Sequence, residues 1–249
     1  MTPGHTLLLI AAGAAAGIVG SAGGTASLIS YPALLAAGLS PLAANVANAV
    51  AFVAAWPGSA LGSRPELRGQ GPWLRRQAPL ALAGSAAGAV LLLATPASAF
   101  ARVVPYLLAL AALALLLQPP AAKWLAGRPA GRHGLLLPAG LIAVSAYDGY
   151  WGAGAGIMTL ALLMITTGHA LAPANALKNM LLGIADVACC AVFILCWPVD
   201  WQAVIPMAAG CLIGGAIGPS VTRHVPGQAL RILAALAGLA LAVRLWTAS

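Results

Sequence analysis

A carboxylate, a run of glycines and an ammonium group lie close together in one strongly apolar part of the chain. The carboxylate is Asp148, and Lys178 comes one apolar segment later. Between them the chain carries Gly149, Gly152, Gly154 and Gly156. Glycines let a backbone approach a ligand closely, and an ammonium group offers three hydrogen-bond donors. These residue types indicate an anion site, in a place where the surrounding sequence offers little other charge.

The composition defines the environment of this site. The chain has 249 residues, of which 61% are hydrophobic and 6% charged, and its mean hydropathy is +0.96. Soluble domains carry about 25% charged residues, so this chain lacks the polar residues to cover a water-facing surface. It is predicted to be an integral membrane protein. The sequence lacks the period-2 alternation of a transmembrane barrel, which leaves helices as the spanning elements.

Eight apolar runs predict an all-α membrane protein of about eight transmembrane helices. The first and fifth runs have about 33 residues and contain glycine clusters, so a broken helix is predicted in each, since a single span needs roughly 20 residues. The runs cover residues 5–37, 42–62, 78–95, 101–117, 135–167, 170–197, 202–220 and 228–246.

The chain divides into two similar halves. Gly24, Gly38 and Asn45 recur 130 positions later as Gly154, Gly168 and Asn175. The domain prediction is an N-terminal four-span repeat at 1–117, a basic linker at 118–134 and a C-terminal four-span repeat at 135–249. Internal repeats are typical of transporter folds. With four spans in each half, the repeats would be parallel, related by an axis along the membrane normal.

The basic residues predict the orientation in the membrane. On the eight-span count, the side that holds both termini carries eight Lys and Arg residues, in loops 63–77 and 118–134 and at Arg244, against three on the other side. The positive-inside rule then places both termini in the cytoplasm. The basic loops thus explain the formal charge of +8. Nucleic-acid binding is not indicated, because the sequence has no basic patch interleaved with aromatic residues.

Each glycine cluster predicts part of a binding site. A helix that restarts after a break points unpaired N–H groups and a partial positive charge into the space before it. Backbone freed in this way is tolerated in a membrane only where protein buries it or where it lines a cavity. The alternative is that the glycines only permit close packing or kinks. The residues predicted to take part are Gly23, Gly24 and Thr25 in the first half and Gly152, Gly154 and Gly156 in the second.

Lys178 is the predicted charge of the site. It shares one helical face with Asn175 and Asn179, since residues three and four apart are neighbours on a helix. Asp148 is the preferred partner candidate for the ammonium group, because Asp186 lies about 12 Å further along the same helix. A buried ion pair that only fixes helix register is the structural alternative. The first half offers Asn45 and Asn48 at the corresponding positions.

Other site chemistries are weakly represented. The four cysteines lack the spacing of a zinc site, and no carboxylate pair is spaced for hydrolysis. We expect neither a metal nor another cofactor, and we interpret the cysteines as small apolar filler.

These motifs resemble those of the TauE/SafE-type sulfite exporters, which are bacterial inner-membrane proteins with two repeated halves. The resemblance rests on residues 20–25 (GSAGGT), Tyr31-Pro32 and 41–48 (PLAANVAN), and on 147–156 with Ala174 and Lys178. It covers essentially the whole chain and implies transport of small anions, typically sulfite or organosulfonates such as sulfoacetate. Many relatives have Asn three and seven residues after this Lys, where this chain has Leu181 and Ala185.

The leading hypothesis is a secondary transporter, an exporter of a small oxyanion that binds between the two broken helices, with the lipid bilayer as its surroundings. An inside-negative potential favours anion efflux by about 2.3 kcal/mol per charge per 100 mV, whereas uptake would need a coupling group such as Asp148 or Asp186. A passive anion channel is one alternative. A membrane-embedded sulfur-handling enzyme or assembly factor, with Cys189 or Cys190 as its nucleophile, is another. Whether the chain forms a homo-oligomer is left open.

Overall fold

The computed structural model describes residues 2–23, 26–125, 135–224 and 227–247. These residues form helices joined by short turns, which confirms the all-α prediction. The helices are α1 (Pro3–Gly23), α2 (Ser27–Ala36), α3 (Pro41–Phe52), α4 (Ala55–Gly62), α5 (Gly71–Ala94), α6 (Ala97–Leu125), α7 (Leu136–Tyr150), α8 (Ala155–Thr167), α9 (Leu171–Cys196), α10 (Trp201–His224) and α11 (Gly227–Thr247).

Several of these helices are built to cross a membrane. Within the described residues, five helices are long and apolar enough to do so, which makes this a multi-pass membrane protein. The remaining predicted spans are divided or shorter. Residues 42–62 form α3 and α4, and residues 135–167 form α7 and α8. The five apolar segments are Pro3–Ser21, Gly71–Ala94, Ala97–Leu117, Leu171–Cys196 and Trp201–Gly218.

The break between α7 and α8 depends on glycine. Gly152 and Gly154 have φ angles of +78° and +91°, which L-residues with side chains rarely adopt. The Tyr147 hydroxyl donates a hydrogen bond of 2.7 Å to the carbonyl of Ala153 and so closes the loop over the end of α7. The first long run is also divided, since α1 ends at Gly23 and α2 begins at Ser27. Gly24 and Thr25 lie outside the described residues.

An aromatic cluster fixes the second break against the rest of the bundle. The Trp151 ring lies edge-on to Tyr31 of α2, with ring centroids 5.0 Å apart, and 5.7 Å from Phe100 of α6. All three side chains are buried. Since aromatic pairs contribute about 0.5–1.5 kcal/mol beyond their buried area, this cluster holds the loop between two helices that are distant in sequence.

Small residues bring two pairs of helices into backbone contact. Gly13 and Gly17 of α1 lie against the backbone of α10, and Gly84 and Gly88 of α5 lie against the backbone of α7. In lipid, where apolar burial gives little driving force between helices, such close approach supplies the packing energy. These glycines of α1 and α5 therefore act in helix packing.

Each half of the chain packs on the other. The most extensive contacts are those of α1 with α10 and of α5 with α7, followed by α5 with α9, α4 with α10 and α6 with α11. Residues from both halves also share one buried core. The predicted linker at 118–134 begins as helix, because α6 continues to Leu125, and residues 126–134 lie outside the described part of the chain. The division into domains at 117 and 135 stays a prediction.

The close contact of α5 with α7 predicts whether one substitution stabilises or destabilises the protein. Helix propensity alone favours Gly88→Ala by up to about 1 kcal/mol. A Cβ at Gly88, however, would overlap the backbone of Ala146, and overpacking costs about 1–3 kcal/mol. We expect Gly88→Ala to lower the midpoint of thermal unfolding in detergent.

Gly71→Ala is the control for this test, because open space surrounds Gly71 at the start of α5. We expect its unfolding midpoint to equal or exceed that of the wild type. Equal midpoints for Gly88→Ala and Gly71→Ala would contradict the packing described here.

Candidate functional site

A cavity of about 110 Å³ lies where the broken segments meet. Residues of α1, α2, α3, α4, α7, α8 and α9 line it, together with the loop between α7 and α8. A space of about 10–15 Å³ already suffices for one water molecule, so this cavity has room for a small ion. Its wall carries the amides of Asn45, Asn48 and Asn179 and the carboxyl groups of Asp148 and Asp186.

The structure brings together seven of the residues predicted from the sequence. They are Asn45, Asn48, Asp148, Gly152, Gly156, Asn179 and Asp186. Gly154 caps the start of α8, and its Cα faces Ala111 of α6. Gly23 is the last residue of α1. Gly24 and Thr25 lie outside the described residues, so their predicted part in the site is not tested.

Lys178 lies behind the wall of the cavity. Its side chain is 0% exposed, and its Nζ donates a hydrogen bond of 3.4 Å to the carbonyl of Gly20. Asn175 Nδ2 donates at 3.2 Å to the next carbonyl, that of Ser21. The last carbonyls of a helix have no partner within it, and a cation near them is favoured by the helix dipole. Lys178 and Asn175 therefore cap the broken end of α1.

The second broken helix ends in a similar way. Asn45 Nδ2 of α3 donates at 2.9 Å to the carbonyl of Tyr150, the last residue of α7. An amide from each half thus binds the interrupted helix of the other half. Such bonds stabilise the breaks, because an unsatisfied backbone group in hydrocarbon costs several kcal/mol.

Asn48 connects α3 to the start of α2. Its Nδ2 donates to the Ser27 hydroxyl at 3.1 Å, and its Oδ1 accepts a hydrogen bond from the Ser30 hydroxyl. Asn48 is buried, and both ends of its amide have partners. Its first role is therefore to position the helix that follows the first break.

The structure does not pair Lys178 with Asp148. No ion pair or hydrogen bond joins Lys178 to either Asp148 or Asp186. The reason lies in the geometry of α9, where residues eight positions apart differ by about 80° around the helix axis. Lys178 consequently faces α1, while Asp186 faces the cavity.

The two carboxyl groups of the wall face each other. Asp148 from α7 and Asp186 from α9 approach within hydrogen-bonding distance. Asp148 Oδ2 is buried, and no donor among the described residues reaches it. No Lys, Arg or His belongs to the part of the wall that the structure describes. Nor do these residues include a group of three His, Cys, Asp or Glu side chains that could hold a metal ion.

Two tryptophans in the wall were not predicted from the sequence. Trp56 of α4 and Trp151 after α7 line the cavity, and the indole N–H of each is buried with no acceptor within the part of the chain that the structure describes. An indole offers a single donor, so each adds an unused N–H group to the site. Trp56 stands in an apolar run, where a tryptophan carries no signal that separates binding from packing.

Comparison with known proteins identifies the family. The sequence profile described as "Sulfite exporter TauE/SafE" matches residues 9–245. The chain belongs to the TauE/SafE sulfite exporter family. The resemblance predicted from the paired glycine motifs is therefore confirmed.

Relatives of the chain carry the name of probable membrane transporter proteins. The chain is 28% identical over 239 residues to the probable membrane transporter protein ORF9 of Sinorhizobium sp, covering 92% of this chain and 88% of that protein. It is 30% identical over 209 residues to the probable membrane transporter protein YfcA of Escherichia coli K12, covering 82% of this chain and 75% of that one. No solved structure gives a significant match. Family and relatives identify this chain as a membrane transporter.

The bond from Asn45 to Tyr150 generates a prediction about stability. Asn45→Ala removes the amide and leaves the Tyr150 carbonyl without this donor. Because a buried group left unsatisfied costs about 1–3 kcal/mol, we expect a lower midpoint of thermal unfolding in detergent, measured without substrate.

Asn179→Ala provides the matched control, since Asn179 has no hydrogen-bond partner among the described residues. We expect it to unfold at the wild-type temperature. A loss of stability in Asn179→Ala equal to that in Asn45→Ala would argue against the capping role.

Proposed function

We propose that this transporter exports a small oxyanion, such as sulfite or an organosulfonate, which binds in the cavity between the two broken segments. The family description supports the substrate class. The observation that carries the proposal is the cavity itself, in which unused N–H donors from both halves meet at two helix breaks.

Several donors suit an oxyanion in this cavity. Among the described residues, Asn179 has no hydrogen-bond partner, and the indole N–H groups of Trp56 and Trp151 have no acceptor. Gly156 brings the first turn of α8 to the wall, where N–H groups lack partners inside the helix. A hydrogen bond to a charged group contributes about 1.5–3 kcal/mol, so three or four such bonds would hold an anion against its hydration.

Lys178 supports this site from behind. It binds the carbonyl of Gly20, and Gly20 itself lines the cavity. The ammonium group therefore acts on an anion through space and by fixing the end of α1, and direct contact with substrate is not required. Asn175 acts in the same way through Ser21.

We further propose eight spans in two repeated four-span halves, with both termini in the cytoplasm and the chain in the bacterial inner membrane. Reciprocal packing supports the repeat, because the contact of α1 with α10 has its counterpart in that of α7 with α5. Gly38 and Gly168, at corresponding positions, both have positive φ angles after α2 and α8. The excess of basic residues in the loops supports the orientation.

Anion flux in proteoliposomes tests the proposed function. Wild-type protein is expected to transport at least one of sulfite, sulfoacetate, thiosulfate and lactate with saturating kinetics. A flux that rises linearly with concentration would instead favour a passive channel, and the absence of flux for all four anions would overturn the proposal.

Asn179→Ala tests the position of the site. Loss of one charge-assisted hydrogen bond corresponds to a roughly tenfold rise in the half-saturating concentration, since about 1.4 kcal/mol is a factor of ten. Gln70→Ala, which removes an amide before α5 and outside the cavity, should keep the wild-type value. An unchanged half-saturating concentration in Asn179→Ala would exclude the cavity as the binding site.

Replacement of the cysteines tests the enzymatic alternative. None of the four belongs to the wall of the cavity, and the Cys189 thiol donates to the backbone carbonyl of Asp186. We expect a variant with Cys189, Cys190, Cys196 and Cys211 all changed to Ala to retain wild-type flux within about twofold, because a transport site of this kind needs no nucleophile. Loss of flux in a folded, monodisperse variant would favour sulfur chemistry at a thiol.

A further inference from the structure

The carboxyl pair in the wall makes the cavity an unusual place for an anion. Asp148 and Asp186 come from different helices, line the same cavity and lie within hydrogen-bonding distance of each other. Two ionised carboxylates about 4 Å apart repel by roughly 4 kcal/mol at an effective dielectric constant of 20. Such pairs hold a proton between them. A proton on one carboxyl group would also supply a donor for the buried Asp148 Oδ2, which has none among the described residues.

The groups around the pair do not neutralise it. From α7 the Tyr147 phenol lies near it, from α9 the thiols of Cys189 and Cys190, and from α10 the thiol of Cys211. These groups are uncharged at neutral pH. Lys178 of α9 is bound at Gly20. The described wall residues of α1, α2, α3, α4 and α8 carry no ionisable side chain.

We propose that the Asp148–Asp186 pair takes up one proton with each anion, so that the protein is a proton–anion symporter. This inference rests on the proposed function. The empty site holds one proton and a net charge of −1. An anion that enters would change the net charge from −1 to −2 in a cavity whose described wall carries no cation, and protonation of the second carboxyl group offsets this. The proton comes from water on the side where the anion enters and returns to water on the other side.

The consequence concerns what drives transport. A monoanion that moves with one proton carries no net charge, so the membrane potential does not act on the cycle. The gradients of anion and pH alone then set the direction. This differs from the expectation that an inside-negative potential suffices for export, and it makes efflux depend on accumulation of the anion inside the cell.

The experiment counts protons for each transported anion. Proteoliposomes that enclose a pH-sensitive dye receive methanesulfonate, a monoanion that stays ionised, so any proton that moves with it is carried by the protein. Sulfite is tested in parallel. We expect about one proton per methanesulfonate, and a rate that changes less than twofold when valinomycin and a potassium gradient impose 60 mV.

Carboxyl variants supply the second measurement. The double variant Asp148→Asn/Asp186→Asn has no carboxyl group left in the described wall to exchange the proton, so it should lose the proton flux or lose transport altogether. Where anion flux survives, 60 mV should now shift its steady-state distribution about tenfold, since 100 mV corresponds to about 2.3 kcal/mol per charge. Glu66→Gln, a carboxylate change outside the cavity, should leave the wild-type proton count unchanged.

The outcomes separate the two proposals. Saturable anion flux without protons in the wild type, driven by the imposed potential, would overturn proton coupling and leave the proposed function standing. Proton movement that persists at one per anion in the double Asn variant would overturn the assignment to these two residues. Absence of flux for methanesulfonate and for sulfite, sulfoacetate, thiosulfate and lactate would overturn the proposed function and this inference with it.

Discussion

The hydrogen bonds at the broken helix ends are the interaction on which the rest of the structure depends. A cavity inside a membrane protein needs interrupted helices, and their free carbonyls need donors, because lipid supplies none. Asn45 supplies the donor at the end of α7, and Asn175 and Lys178 supply donors at the end of α1. Each donor comes from the opposite half of the sequence. The same bonds that allow the cavity to exist therefore also hold the two halves together.

This arrangement determines the charge of the cavity. Lys178 is the positively charged residue of the sixth apolar run, and its ammonium group donates to the backbone carbonyl of Gly20. What remains in the wall is a pair of carboxyl groups with amide and indole donors. In the cycle we propose, an anion occupies this space when the carboxyl groups carry protons, as carboxylates this close cannot both ionise freely. The structural use of the lysine and the proton coupling we propose are thus two aspects of one electrostatic constraint.

The sequence predicts the class, the all-helical fold, the two breaks and much of the cavity wall. These features follow from local signals, namely composition, run length and clustered glycines. The contact of Lys178 with α1 could not be predicted from local signals. Its partner Gly20 is 158 residues away in the sequence, and helical periodicity indicates only which residues share a face. Residues 178 and 186 differ by about 80° around α9, enough for one to face a helix end and the other a cavity. Trp56 was missed because a buried indole looks the same in sequence whether or not its N–H finds an acceptor.

The two halves carry different side chains at corresponding positions, so the two sides of the cavity differ chemically. At position 48 an amide binds Ser27 and Ser30 of the helix after the break, whereas at position 178 an ammonium group binds Gly20 of the helix before it. Both carboxyl groups belong to the second half, while Asn45 and Asn48 belong to the first. In the cycle we propose, an anion would meet the Trp56 indole N–H from the first half, and Asn179 with the two protonatable acids from the second. Only the acids would change their charge in that cycle, so the second half would control the affinity of the site.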